Sequence, residues 1–172
     1  MVFARTRLLI WDQIYEPKKV SIIRYKGPHP EKLYKKMVEI FKRIFNIPAG
    51  YVQEKEYNWE EEGEKERFKV EWQVDKPLDQ FSYLDWIIEF KGFSAGGHGE
   101  AVIEFEPRLV TEYPQDNIWQ QSIIYEMFRR FWHIMFYDKH RRDFLALGKD
   151  LTEQFENEIK DYMEKLRGKS AE

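Results

Sequence analysis

Four histidines, His29, His98, His133 and His140, are the first residues to test for chemistry. His133 and His140 stand seven residues apart in a stretch with helical spacing, so they project from roughly one face. Ligands that share an ion from a single helix commonly stand four apart, whereas seven residues rise about 10.5 Å. Arg129, one turn before His133, would also repel a cation. No metal site is expected, and with no cysteine there is no thiolate ligand, thiol nucleophile or disulfide. His98 lies in Gly96-Gly97-His98-Gly99, which could pass for a phosphate cradle. Such a cradle needs a helix after it to aim N–H groups at the anion, and an alternating strand pattern follows instead. The cluster therefore reads as a hairpin turn. Ser21, Ser82, Ser94 and Ser122 stand in no nucleophile context, and Glu60, Glu61, Glu62, Glu64 and Glu66 form a solvated hairpin tip. No nucleophile, base and orienting group can be assembled, so no catalytic residue and no cofactor is expected.

Charge is distributed unevenly. The chain carries 28 Lys and Arg against 31 Asp and Glu, which excludes a globally basic nucleic-acid binder. Yet Lys18–Arg43 holds nine basic residues and two glutamates, and Arg129–Arg142 holds five against Asp138. The second segment interleaves its cations with Phe131, Trp132, Phe136 and Tyr137, a mixture also used to grip single-stranded nucleic acid. Lys35, Lys36, Lys42, Arg43, Arg141 and Arg142 are the candidate anion-binding residues if the two segments meet.

The elements that would position these groups follow from periodicity. Val2–Ile14 and Lys18–Lys26 read as extended, with a turn at Glu16-Pro17. Leu33, Met37, Ile40, Phe41, Ile44 and Phe45 then recur at helical spacing, from Pro30 to a stop at Pro48. The period next changes to two. Apolar residues alternate with charged ones in 68–74, 84–90 and 101–109. In Tyr51–Trp59 the expectation is Tyr51, Tyr57 and Trp59 on one face, with Glu54 and Glu56 on the other. Pro107 suggests an edge position or a bulge. From Asn117 to Lys139 the pattern is helical and so apolar that burial on more than one side is expected. Gly148, followed by Asp150 and Glu153 in capping-box spacing, predicts a kink or a second helix.

These elements imply an α+β protein: an antiparallel sheet of five to six strands, one face buried against a long C-terminal helix. Residues 1–172 form a single domain on this reading, with 168–172 frayed. The 29 aromatic residues supply ample core, and the Glu- and Lys-rich composition matches proteins of heat-loving organisms. The longest stretch without a charged residue is Ile44–Gln53, far short of a membrane span, and Arg5 and Arg7 break any leader-like run. A cytoplasmic location is expected.

The order strands, helix, four strands, long helix resembles the helix-grip folds, both the TATA-binding-protein-like core and its START and birch-pollen-allergen relatives. That resemblance rests on element order and has no signature motif behind it. It implies an apolar ligand held between sheet and helix. The candidate lining here is Trp72, Trp86 and Phe90 from the sheet, with Phe128 and Trp132 from the helix; Tyr125 and His133 would supply polar contacts. The functional expectation is a non-catalytic module that binds an apolar small molecule or a protein partner. The alternative is an anion- or nucleic-acid-binding protein using segments 18–43 and 129–142.

Overall fold

The structure is a computed structural model, and it describes residues 9–113, 117, 120 and 122–168. Six strands form one antiparallel sheet: β1 (Leu9–Gln13), β2 (Ser21–Pro28), β3 (Val52–Glu62), β4 (Lys65–Pro77), β5 (Ser82–Ala95) and β6 (His98–Glu112). Between β2 and β3 runs α1 (Lys32–Ile44). A continuous C-terminal helix comprises α2 (Ile123–Trp132), a π turn (His133–Tyr137) and α3 (Asp138–Gly168). This is the expected α+β arrangement, compatible with a helix-grip-like fold. The expected strand Val2–Ile14 lies partly, and the frayed terminus almost wholly, outside the described residues.

The strands β3 to β6 form a meander, and β1 and β2 both pair with β6, one after the other along its length. This explains Pro107. It sits well inside β6, not at an edge, where the β1 register ends at Arg108 and the β2 register begins at Phe105. Its carbonyl accepts from Ile14 N–H at 3.1 Å, so its missing N–H faces the gap between the two short strands and no ladder bond is lost. The turn at 96–97 takes two glycines, both at positive φ, as a tight hairpin requires.

Phe68, Val70, Trp72, Leu84, Trp86, Ile88, Ile103 and Phe105 are all buried on one face, as the alternation demands. The expected alternation in β3 is interrupted. A bulge between Glu54 and Glu56 shifts the register, so Glu54 stands opposite Trp72 and accepts a 3.0 Å hydrogen bond from Tyr34. Burial and this acceptor push the Tyr34 hydroxyl up to about 12.

Two helices cover the dry face. From α1, Phe41 meets Trp72 edge-on at 5.6 Å, and Phe45, at its C-cap, stacks on Trp86 at 4.1 Å. From α3, Phe155 meets Phe41, Phe45 and Phe105 within 6 Å. The predicted break at Gly148 is absent: the helix runs through it. A Cβ there would come within 2.6 Å of Ile14 Cδ1 and 2.8 Å of Leu84 Cδ2, so the glycine permits a close approach of helix to sheet.

Candidate functional site

The expected pocket lining is not brought together. Trp72, Trp86 and Phe90 are at most 1% exposed and packed against aromatic neighbours from α1 and the sheet. Phe128 is 68% exposed and Trp132 52%, on a part of the helix that does not cover those tryptophans. The reason is competition: α1 and the C-terminal half of α3 already fill the dry face. Tyr125 is half-buried beside the Ser122 cap, whose Oγ accepts from its backbone N–H at 3.2 Å.

The expectation that α2 is covered on more than one side is also overturned. Ile123, Ile124, Met127, Phe128, Phe131, Trp132, Ile134, Met135 and Phe136 are 47–70% exposed. At about 100° per residue they sweep roughly 200° of the helix circumference. Together they present on the order of 900 Å² of contiguous apolar surface, beyond the ~300–600 Å² of the largest patch on a typical monomer. Ile124, Met127, Phe128 and Phe131 enclose an open apolar groove of about 380 Å³.

The polar side of the same helix faces inward. Arg129 lies over the Tyr113 ring at 5.7 Å and bonds Glu126 at 3.2 Å; its Nε and Nη1 are buried without a hydrogen-bond acceptor among the described residues. His133 Nδ1 is 2.7 Å from the Tyr113 hydroxyl. Burial, reinforced by the Arg141 charge, holds His133 below its ordinary 6.5, which favours a neutral ring beside the Tyr113 hydroxyl and its proton. Burial likewise pushes Tyr113 up to about 12, which keeps that proton in place. Tyr137 donates to Asp79 Oδ2 at 2.7 Å and lies 2.8 Å from Ser82 Oγ, which meets Thr111 Oγ1 at 2.7 Å. Arg141 closes the chain on Thr111 and Asp12.

The π turn makes this arrangement possible. Residues 129, 133, 137 and 141 are spaced by fours, a step that drifts about 40° each time on a regular helix. The i→i+5 turn holds more residues per revolution and absorbs that drift, so all four reach the sheet end together. The outcome is a helix with its polar stripe against the protein and its apolar arc toward solvent.

The six candidate anion-binding residues do not form one surface either. Arg141 is buried and committed to Asp12 and Thr111. Lys36 and Arg43 converge on Glu158 in a polar groove between α1 and α3. Arg142 lies sixteen residues before Glu158 on that helix, about 24 Å away along its axis. Lys35 and Lys42 remain with the α1 group. Among the described residues no cluster of three His, Asp or Glu side chains could hold a metal, and no helix is long and apolar enough to cross a membrane.

No family model matches the chain, and no curated protein matches it. Among solved structures, the protein of unknown function SA2116 from Staphylococcus aureus is 15% identical, over 90% of this chain and 98% of that one, with a TM-score of 0.22. Ara h 8.0201 is 13% identical, over 78% of this chain and 99% of that one, with a TM-score of 0.20. Neither superposes closely, and the fold description stands on the sheet order and helices alone.

Proposed function

We propose that this protein is a non-catalytic interaction module that docks through the apolar arc of α2 and the π turn. One observation carries this reading: the helix is inverted, with Arg129, His133 and Tyr137 turned to the fold and its large apolar side chains turned to solvent. Apolar surface of this extent is costly in water unless a partner covers it. Asp12, Asp79, Ser82, Thr111, Tyr137 and Arg141 at the helix–sheet junction are occupied with one another, which favours a role as a rigid mount over a catalytic one. The helix-grip likeness enters as architecture: the C-terminal half of the long helix packs on the dry face of the sheet, and the N-terminal half is mounted at the sheet's end with its apolar arc outward. A START-like internal ligand is not favoured, because Trp72, Trp86 and Phe90 already have neighbours from the protein itself.

The test is a triple variant, Phe128→Ser, Phe131→Ser and Met135→Ser, compared with the natural chain. Binding of an environment-sensitive apolar dye should fall severalfold while the melting temperature stays within about 2 °C, since exposed positions contribute little to stability. Equal dye binding by both proteins would refute the docking reading.

A further inference from the structure

We propose that the occupant of this arc is the surface of an anionic lipid bilayer, with α2 lying in the plane of the interface; this rests on the docking reading above. The width of the arc argues first. A single partner helix or groove covers a stripe of about 100°, whereas the exposed apolar side chains sweep roughly twice that. A bilayer interface receives a whole half-cylinder, taking the apolar half of a helix about 5–10 Å deep. The segment Ile123–Phe136 is about 21 Å long, which suits a helix lying on a membrane and not one crossing it.

Charge argues second. Arg130 flanks the apolar arc with its side chain 67% exposed, and Arg142, one element on, is 71% exposed; Lys139 and His140 are exposed between them. The facing acids are Glu126, 3.7 Å from Arg130, and Asp138, 3.3 Å from Arg142. Both are i,i+4 helix pairs whose arginine is well exposed, the weak kind, which leaves the cations able to exchange to lipid phosphate. Long basic side chains at the border of an apolar face reach headgroups while their stems stay in the apolar layer. Orientation argues third. The polar stripe at Arg129, His133 and Tyr137 points to the sheet, so the arc faces away from it, and the outer sheet face with Glu71, Glu89 and Glu104 lies on the far side of the molecule from the bilayer.

The experiment is co-sedimentation of the full chain with vesicles of phosphatidylcholine alone and of phosphatidylcholine mixed with phosphatidylglycerol, alongside light scattering without vesicles. The mixed vesicles should bind about tenfold more tightly than the neutral ones, and added salt should narrow that difference. Phe128→Ser with Phe131→Ser should lose about tenfold on both vesicles at unchanged melting temperature. Arg130→Glu with Arg142→Glu should abolish only the preference for the anionic ones. Vesicle binding untouched by the phenylalanine changes would overturn the proposal, as would equal binding to both compositions. Absence of vesicle binding together with an oligomer that the same phenylalanine changes dissolve overturns the lipid assignment and leaves the docking reading standing. Absence of both vesicle binding and oligomer overturns the two together.

Discussion

Trp86 donates its indole N–H to Thr152 Oγ1 at 3.0 Å, and that hydroxyl donates in turn to the Gly148 carbonyl at 2.7 Å. Both side chains are buried, so this relay is a polar rivet through an apolar layer, fixing β5 to α3 at one height. Thr152→Val keeps the shape and leaves the indole N–H unpaired. It should cost about 1–3 kcal/mol in denaturant unfolding. Thr152→Ser keeps the hydroxyl and should cost about 1 kcal/mol, for the lost methyl alone. Equal losses for the two variants would show that packing, and not the hydrogen bond, sets the value of this site.

Gly148 sits beside that rivet. Alanine would gain about 1 kcal/mol of helix propensity. It would also push a Cβ to 2.6 Å from Ile14 Cδ1 and 2.8 Å from Leu84 Cδ2, and crowding in a filled core costs about 1–3 kcal/mol. Gly148→Ala should therefore be destabilising by about 1 kcal/mol net. Ile14→Val removes the nearer methyl, so the double variant should recover part of the loss. A double-mutant cycle with no coupling would contradict the close approach.

The sheet was legible because one dry face leaves a period of two in Phe68, Val70, Trp72 and Val74, and that signal needs no knowledge of what covers it. The bulge at Glu54 was not, since an inserted residue leaves the same residue types in place. The direction of the helix is hidden for a related reason. Periodicity reports an apolar arc but not whether protein or solvent faces it, and α2 has its arc outward. What decides the direction is the π turn at His133–Tyr137 and the polar receptors Asp12, Asp79, Ser82, Thr111 and Tyr113 on distant strands and connections. No local pattern brings those together. One signal was available: Arg129, His133, Tyr137 and Arg141 recur every four residues, a polar stripe of the kind that can face a fold as well as water. Gly148 likewise reads as a breaker in one dimension and as a contact in three.

The two readings of the C-terminal helix separate cleanly in a pair of substitutions. Phe155 is buried among Phe41, Phe45 and Phe105, so Phe155→Ala should cost about 3–5 kcal/mol. Phe131, 57% exposed, should cost no more than about 0.5 kcal/mol when changed to alanine. Comparable losses at the two positions, measured by urea unfolding, would mean that α2 is packed against the fold in solution.

The outer sheet face supplies a prediction in pH. Asp75 and Asp85 stand directly opposite on β4 and β5, and Arg108 is paired with Asp85. Burial first, and the Asp85 charge second, raise the Asp75 carboxyl above its ordinary 3.8; the Gln73 amide, 3.4 Å away, and Lys55 pull weakly the other way. Between the unfolded value of 3.8 and the raised folded one, the folded chain therefore holds a proton that the unfolded chain has already lost. Whatever stability Asp75 contributes is complete below pH 3.8 and falls as pH rises through its folded value; above that, the charged form carries a constant penalty. Asp75→Asn removes the penalty, and its amide N–H can donate to Asp85 Oδ1, which a charged Asp75 cannot do. Because Asp75 is only partly buried, solvent screens most of the effect, and the variant should melt about 1–2 °C higher near neutral pH. That advantage should vanish at the acid end. Thermal melts of both proteins across the acid-to-neutral range decide it: a variant less stable than the natural chain at neutral pH would mean that the Asp75 carboxylate is held by favourable charge and not burdened by its neighbour.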